Sequence, residues 1–196
     1  FNLIIYSKML TDLKTINMIF KMEISDKRVF VLNEIVDYIF KIKSENKIPK
    51  LNFICTHNSR RSQFCHFWAN FFSNYYNTKC EAFSGGTVET EVNKNVINNI
   101  RNYGFDISFK ESSNPIYSIK FKNQNLGYYF SKLYHNFENP KCGFAAIMNC
   151  SDAENNCPLI EGSEVKFSLQ YEDPKKYDST KFQKNEYKKT SEKIAS

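Results

Sequence analysis

The feature that most constrains the fold of this 196-residue chain is a short apolar run that ends in a cysteine and leads into a helix-forming stretch. The run and its continuation, Leu51–Cys65, read LNFICTHNSRRSQFC. The apolar part predicts a buried strand, and five residues then separate Cys55 from Arg61, with Ser62 next. A Cys-x5-Arg-Ser loop between a strand and a helix is typical of an anion-binding loop that carries a thiol nucleophile.

Apolar residues recur along the rest of the chain with the spacing of strands and helices in alternation. The predicted strands are Lys50–Ile54, Lys79–Phe83, Gly143–Met148 and Lys166–Gln170, and the predicted helices are Ser62–Tyr76, Val92–Tyr103 and Asp178–Ile194. This order is typical of right-handed βαβ units in a parallel sheet. We therefore expect an α/β fold: a single three-layer domain around a four- or five-stranded, mainly parallel sheet.

Two parts of the chain lie outside this alternation. Residues 1–49 carry two apolar runs at helical spacing, the second after Ser25, and predict a helical extension packed on the core domain of residues 50–196. Residues 111–140 interrupt the order with Pro115–Phe121, which alternates like an exposed strand or hairpin arm. This stretch is interpreted as an insertion whose pattern does not disclose a role.

Composition excludes several classes of protein. A hydrophobic content of 41% and an aromatic content of 16% argue against disorder, and no apolar run approaches the ~20 residues that cross a bilayer. The start has no basic segment followed by an apolar block and a cleavage site, so we expect a soluble, cytoplasmic protein without a membrane partner. Six cysteines without a secretory signal indicate reduced thiols rather than a disulfide scaffold.

The net charge of +6 raises the question of a nucleic-acid partner. The lysines are dispersed except near the C-terminus, where seven of them face three acidic residues. The seven are Lys175, Lys176, Lys181, Lys184, Lys188, Lys189 and Lys193. A solvated helix face explains this group better than a polyanion site, and we expect no nucleic-acid partner.

The loop after the first core strand carries the chemistry predicted for this chain. In open α/β sheets a ligand lies beyond the carboxyl ends of the strands, where Cys55 falls. A helix beginning at Ser62 directs free N–H groups and the positive end of its dipole into the loop, which favours a Cys55 thiolate. Arg61 can bind a tetrahedral oxyanion with two hydrogen bonds, Ser62 can donate to the thiolate, and Asn58 tolerates left-handed backbone. The predicted oxyanion-binding residues are Thr56, His57, Asn58, Ser59, Arg60 and Arg61.

Residues 55–63, CTHNSRRSQ, resemble the nucleophile loop of the low-molecular-weight protein tyrosine phosphatases and of the thioredoxin-coupled arsenate reductases that share their fold. Glu172-Asp173-Pro174 is similar to the general-acid loop of that superfamily, which implies that Asp173 protonates a leaving oxygen. In classical tyrosine phosphatases the acid precedes the cysteine, whereas Asp173 follows Cys55 by 118 residues. This order agrees with the low-molecular-weight type.

The segment from Asn149 to Pro158, NCSDAENNCP, is similar to the resolving-cysteine segment of those arsenate reductases. The resemblance implies a relay: Cys55 forms a thiol–arsenate ester, Cys150 displaces arsenite, and Cys157 attacks Cys150 to leave a disulfide for reduction by thioredoxin. On a helix, residues seven apart are separated by about 10 Å of rise, whereas a disulfide needs Cα atoms within about 7 Å. Residues 151–156 are therefore expected to be looped or able to unwind.

Two other interpretations of Cys150 and Cys157 stay open: incidental buried thiols, or half of a zinc site. Their separation by six residues is wider than the usual spacing of zinc ligands, and no matching Cys/His pair follows, so we expect no metal. Cys65 and Cys80 lie among core-facing residues and are predicted to be packing residues.

The sequence is compatible with three functions: two enzyme activities and one non-catalytic alternative. The leading hypothesis is an arsenate reductase-like enzyme, with thioredoxin or another thiol as electron donor and no cofactor. Its predicted catalytic residues are Cys55, Arg61, Ser62, Asp173, Cys150 and Cys157. The alternative is a low-molecular-weight protein tyrosine phosphatase that hydrolyses phosphotyrosine or small phosphoesters, for which Cys55, Arg61 and Asp173 suffice. The third hypothesis is a non-catalytic oxyanion-binding or redox-sensing protein. Either enzyme would act on a small oxyanion, arsenate or a phosphoester.

Overall fold

The computed structural model of the chain describes residues 19, 21–156 and 159–196. The first helix predicted in the N-terminal extension falls almost wholly outside this part. The described helices are α1 (Asp26–Ser44), α2 (Arg61–Tyr75), α3 (Lys94–Asn102), α4 (Ser151–Asn156) and α5 (Gln183–Ala195), with a 3-10 helix at Pro174–Tyr177. The described strands are β1 (Lys50–Cys55), β2 (Glu81–Gly86), β3 (Asp106–Phe109), β4 (Tyr117–Phe121), β5 (Gln124–Tyr129), β6 (Phe144–Met148) and β7 (Ser163–Ser168).

Four strands form the main sheet in the order β2-β1-β6-β7, and each neighbouring pair is parallel. β1 lies inside the sheet and is buried along all but its first residue. Both faces are covered: Leu51 and Phe53 share a buried cluster with Ile35 of α1, whereas Ile54 shares another with Ala153 of α4. The predicted three-layer α/β fold is confirmed, with four parallel strands.

Aromatic side chains on one side of α2 lie in the core. Phe64, Phe67 and Phe71 are buried in a cluster with residues of α3, β4 and β5 and with Tyr187 of α5. Phe67 and Phe71 make edge-to-face contacts with Phe105, with ring centroids 4.8 and 5.3 Å apart. This packing fixes the helix whose N-terminus faces the loop after β1.

A second sheet, antiparallel and in the order β3-β4-β5, occupies residues 106–129. Its hairpin turn contains Lys122 and Asn123, with φ of 48° and 67°. Two consecutive residues of positive φ are the conformation that a tight two-residue hairpin requires. The strand predicted at Pro115–Phe121 is therefore one arm of this hairpin, and the second sheet takes up much of the predicted insertion.

Several element boundaries differ from the sequence predictions. β2 continues through Gly86, beyond the strand predicted at Lys79–Phe83, and β7 begins and ends earlier than the strand predicted at Lys166–Gln170. α5 begins at Gln183 rather than Asp178, because a 3-10 helix and the left-handed Ser179 (φ 63°) precede it. Residues 151–156, expected to be looped or able to unwind, are helical. No helix in the described ranges is long and apolar enough to span a bilayer.

Candidate active site

The candidate nucleophile lies where β1 ends and the loop toward α2 begins. Cys55 is 3% exposed, and its Sγ lies 3.0 Å from the Oγ of Ser62, in the first turn of α2. At this distance the hydroxyl can donate a hydrogen bond to a thiolate. Because α2 begins at Arg61, its unpaired N-terminal N–H groups and the positive end of its dipole face the loop.

Asn58 holds the turn of the loop. Its φ of 46° is left-handed, as the sequence suggests for an asparagine at this place. Its side-chain amide donates to Ser62 Oγ at 2.8 Å, and its Oδ1 accepts from the backbone N–H of Lys132 at 3.0 Å. Gln63 donates through Nε2 to the Asn58 carbonyl at 2.9 Å. A chain of donors therefore runs from Lys132 through Asn58 and Ser62 to Cys55.

The carbonyl groups of the loop bond to neighbouring segments. Each accepts a hydrogen bond of 2.8–3.0 Å: Thr56 from the N–H of Val88, His57 from the hydroxyl of Ser131, and Ser59 from the N–H of Asn93. By contrast, no acceptor within the described residues takes the backbone N–H groups of residues 57–60. Consecutive free N–H groups at a helix N-terminus form an anion-binding cradle. The backbone of the predicted oxyanion-binding residues is thus available for that role.

Arg61 and Asp173 form an ion pair beside the loop. Arg61 Nη2 lies 2.6 Å from Asp173 Oδ2, and Nη1 donates to the Tyr171 carbonyl at 3.2 Å. The Nε of Arg61 is buried and has no hydrogen-bond partner in the described part of the chain. Asp173 caps the 3-10 helix, and its Oδ1 accepts from the Lys175 N–H at 2.9 Å. The structure therefore places the predicted anion-binding arginine and the predicted general acid in direct contact.

Arg60 directs its side chain to the C-terminal part of the chain rather than into the loop. Its Nη2 pairs with Asp178 at 2.7 Å, and its Nε donates to the hydroxyl of Tyr187 at 2.6 Å. Tyr187 in turn donates to the second oxygen of Asp178 at 2.7 Å. Two of the three side-chain nitrogens of Arg60 are therefore engaged away from the loop, whereas its backbone N–H is available for the predicted oxyanion-binding role.

Cys150 lies against the loop. β6 is the parallel neighbour of β1, and the Asn149 N–H donates to the Ile54 carbonyl at 2.7 Å, so that Cys150 follows at the end of the sheet. Cys150 is 2% exposed and belongs to the same buried cluster as Cys55. Its Sγ lies 3.5 Å from Thr56 Oγ1. The structure thus brings the first two cysteines of the predicted relay to one place.

The other thiols have different surroundings. Cys157, the third predicted relay cysteine, lies outside the described residues. Burial raises the pKa of the Cys65 thiol, and it raises the pKa of Cys80 to about 11, so both stay protonated at neutral pH. Both belong to or pack against the core, as predicted, whereas Cys142 is exposed.

A segment that the sequence analysis did not single out braces the loop. Residues 130–134 follow β5 and run beside the end of β2. They make hydrogen bonds of 2.8–2.9 Å: Gln63 donates to the Phe130 carbonyl, Ser131 donates to the His57 carbonyl, and the Gly86 N–H donates to the Lys132 carbonyl. Residues 130–134, at the end of the region interpreted as an insertion, therefore support the loop of the candidate active site through hydrogen bonds.

Gly86 lets the loop approach β2 closely. A Cβ at this position would lie 2.7 Å from the Thr56 carbonyl oxygen and 2.8 Å from the Asn58 nitrogen, closer than real contacts allow. Paired glycines inside a strand often mark a close approach of another backbone. Gly85 and Gly86 were thus the sequence signal that could have identified this contact.

The buried polar groups below the loop do not form a metal site. Burial, and after it the charge of Lys132, lowers the pKa of His66, which is therefore a neutral core residue at neutral pH. The His66 Nδ1 lies 3.2 Å from Ser84 Oγ, and its ring packs on Tyr129 with centroids 4.5 Å apart. In the residues that the structure describes, no group of three His, Cys, Asp or Glu side chains could hold a metal ion.

The relatives found by sequence comparison are staphylococcal proteins named arsenate reductase. The chain is 30% identical over 132 residues to "Arsenate reductase 2" of Staphylococcus epidermidis, which covers 67% of this chain and 83% of that protein. It is 28% identical, with the same coverage, to "Arsenate reductase 2" of Staphylococcus haemolyticus. No protein-family model matches the sequence.

Two solved structures are among those with a similar course of the chain. One is a low-molecular-weight protein tyrosine phosphatase from T. tengcongensis, with a TM-score of 0.48 and 15% identity, covering 75% of this chain and 92% of that one. Another is an arsenate reductase in the phosphate-binding state, with a TM-score of 0.45 and 16% identity, covering 76% and 92%. With 30% identity to a staphylococcal arsenate reductase over 67% of its length, the chain belongs to the family of the arsenate reductases.

Proposed function

We propose that this protein is an arsenate reductase in which Cys55 is the nucleophile and Cys150 is the thiol that releases arsenite. The observation that carries the proposal is the position of Cys150, which is buried beside the Cys55 loop with its Sγ 3.5 Å from Thr56 Oγ1. Hydrolysis of a phosphoester needs no second thiol, whereas reduction of arsenate needs one that can reach the sulfur of the first. The names of the staphylococcal relatives support the same choice.

In the first step the loop binds arsenate and Cys55 attacks the arsenic. The free N–H groups of residues 57–60 and the guanidinium of Arg61 hold the oxyanion, and Ser62 stabilises the thiolate at 3.0 Å. A bond forms between Cys55 Sγ and arsenic, and an arsenic–oxygen bond breaks. The oxygen leaves as water, with a proton from Asp173. No atom changes its oxidation state in this step.

In the second step the thiolate of Cys150 attacks Cys55 Sγ. A sulfur–sulfur bond forms, and the electron pair of the sulfur–arsenic bond goes to arsenic, so arsenate(V) leaves as arsenite(III) while two thiols become one disulfide. Cys55 and Cys150 share one buried cluster, which limits the movement that this bond requires.

In the third step Cys157 attacks Cys150 and releases Cys55 as a thiolate. This step rests on the sequence, because Cys157 lies outside the described residues. Residues seven apart on a continuous helix are separated by about 10 Å of rise, whereas a disulfide needs Cα atoms within about 7 Å, so α4, which occupies residues 151–156, must unwind for the new disulfide to form. A helix of six residues is marginal by itself, so its unwinding costs little. A dithiol protein of the thioredoxin type then reduces the Cys150–Cys157 disulfide.

The experiment that tests the proposal compares Cys150→Ser with the parent protein and with Cys142→Ser. We expect Cys150→Ser to lose at least 100-fold in steady-state arsenate reduction with thioredoxin and its reductase, because arsenite is no longer displaced. Cys142 is exposed and lies outside the buried cluster of Cys55, so its variant serves as the matched control. Aryl-phosphate hydrolysis, measured on the same three proteins, should be unaffected by either change.

The outcome also decides between the two activities. Arsenate turnover by Cys150→Ser at the rate of the parent protein would exclude the relay. Rapid aryl-phosphate hydrolysis in all three proteins, without arsenate reduction in any, would instead establish the phosphatase alternative, which uses Cys55, Arg61 and Asp173 alone. The Cys157→Ser variant should accumulate the Cys55–Cys150 disulfide after treatment with arsenate, and mass spectrometry can detect it.

A further inference from the structure

A cleft between α3 and α5 lies outside the candidate active site. Its volume is about 560 Å³, which is the size of many small-molecule sites. A hydrogen bond of 3.0 Å from Gln183 Nε2 to Asn95 Oδ1 joins the two helices. Among the described residues, the cleft is lined by amides, one phenol and ammonium groups, without a carboxylate and without a residue of the Cys55 loop. The lining residues are Asn99, Asn102, Tyr103, Lys181, Lys184, Asn185 and Lys188.

The α5 side of the cleft carries positive charge. Lys181 and Lys184 have no ion-pair partner within the described residues, whereas Lys188 lies 3.6 Å from Glu192. In the first turn of α5, the backbone N–H groups of Lys184 and Asn185 have no acceptor in the described ranges. Free N–H groups and the positive end of a helix dipole favour an anion. This side of the cleft is therefore suited to a phosphate group.

The α3 side of the cleft holds two buried polar side chains without partners. Asn99 is 6% exposed and Tyr103 is 8% exposed. The Oδ1 of Asn99 and the hydroxyl of Tyr103 are shielded from water and have no hydrogen-bond partner in the described part of the chain. Ser191, beside Tyr103, instead accepts from Trp68 Nε1 at 3.0 Å. Buried polar groups without partners are costly and rare. Because both side chains line the cleft, a ligand in it can supply the missing hydrogen bonds.

We propose that this cleft binds a small phosphorylated compound with several hydroxyl groups, of the sugar-phosphate class. The phosphate group would lie at the first turn of α5 between Lys181 and Lys184, and the hydroxyl groups would face Asn99 and Tyr103. A hydroxyl both donates and accepts, so it can pair with the amide oxygen and with the phenol. Neither inorganic phosphate nor an unphosphorylated sugar satisfies both sides of the cleft. The inference is independent of the proposed function, because it uses no residue of the Cys55 loop.

The test measures the binding of glucose 6-phosphate by isothermal titration calorimetry. All proteins carry Cys55→Ser, so that the ester is not turned over during the titration. Lys184→Met should weaken binding about tenfold, because a charge-assisted contact to the phosphate is lost. Lys193→Met is the matched control, because Lys193 is an exposed lysine of the same helix that does not line the cleft. This control should bind glucose 6-phosphate as the parent protein does, and glucose without the phosphate should bind at least tenfold more weakly to the parent protein.

A variant on the α3 side tests the role of the unpaired amide. Asn99→Leu should also bind glucose 6-phosphate about tenfold more weakly, since a hydroxyl of the ligand loses its partner. Because the change removes a buried polar group without a partner, the urea midpoint should be at least as high as in the parent protein. A stable Asn99→Leu protein with unchanged affinity would overturn the assignment of the hydroxyl groups to this side.

The Cys55 loop is a second place where a phosphate group can bind, so its contribution is measured separately. Adding Arg61→Met weakens the loop as an oxyanion site and should leave the affinity for glucose 6-phosphate within about twofold. Binding that depends on Arg61 and not on Lys184 would overturn the inference. Absence of binding to the parent protein, or equal affinity in Lys184→Met and Lys193→Met, would overturn it as well.

Discussion

Two adjacent arginines of the loop are held by carboxylates in different ways. Arg60 contacts both Asp178 and Tyr187, and these two also bond to each other, so that each partner is fixed twice. Arg61 contacts Asp173, whose side chain is 34% exposed, and its own Nε has no partner in the described part of the chain. The partners of Arg60 are thus bonded to each other as well as to the arginine, whereas Arg61 keeps a nitrogen that has no hydrogen-bond partner in the described residues.

The difference indicates which arginine can change partners during a reaction. An oxyanion can replace the carboxylate of Asp173 on the guanidinium of Arg61, because two of its oxygens match the planar fork of an arginine. Asp173 is then released and can take up the proton that a general acid needs. Arg60 has no such exchange open to it, because its two partners, Asp178 after the 3-10 helix and Tyr187 in α5, also bond to each other. Arg60 joins the loop to α5 through Tyr187, and under the proposed function Arg61 is the arginine that binds the substrate.

The largest effect should come from the ion pair between Arg61 and Asp173. Replacing Arg61 by methionine should lower kcat/KM by about 10³-fold, because a bidentate charge-assisted contact to the oxyanion is lost. Arg61→Lys keeps the charge but not the fork and should recover only a small part of the activity. Steady-state kinetics and inorganic phosphate binding measure both variants. A loss below tenfold for Arg61→Met would show that the N–H groups of the loop bind the oxyanion without it.

A smaller and more selective effect is expected at the partner of Arg61. Asp173→Asn should reduce kcat by about 10²-fold, because the leaving oxygen no longer receives a proton. Phosphate should bind at least as tightly as in the parent protein, since the competing carboxylate is gone. Activity and phosphate affinity measured together test the exchange of partners. Weaker phosphate binding in Asp173→Asn would mean that Asp173 supports Arg61 rather than competing with the substrate.

The sequence predicts the local parts of this site well. Cys55, Ser62 and Asn58 lie within one strand–loop–helix unit, so their spacing already implies their proximity, and the structure has the sulfur 3.0 Å from Ser62 Oγ. Asp173 and Cys150 lie far along the chain, and the sequence singled them out through a family resemblance rather than through a physical pattern. The parallel pairing of β6 with β1 then explains why Cys150 reaches the loop.

Other parts could not be predicted in this way. Lys132, Asp178 and Tyr187 contact the loop from segments 74 to 127 residues away, and none of them lies in a motif or repeats with a period. Their contacts depend on how the second sheet and α5 pack against α2, which composition and spacing do not determine. Asp178 was expected inside a helix, but the 3-10 helix before it ends the regular structure and leaves its carboxylate available to Arg60.

The smallest effect on activity should come from the group formed by Arg60, Asp178 and Tyr187. Tyr187→Phe removes a buried hydroxyl that accepts from Arg60 and donates to Asp178, and we expect a loss of about 1–3 kcal/mol in the free energy of unfolding. Because the remaining ion pair still holds the loop, kcat/KM should fall less than threefold. Tyr128→Phe, at an exposed tyrosine, is the matched control and should change neither quantity. Urea denaturation and kinetics of both proteins provide the test. If Tyr187→Phe lost more than tenfold in kcat/KM at unchanged stability, Arg60 would belong with Arg61 in the chemistry, and the distinction between a structural and a substrate-binding arginine would fail.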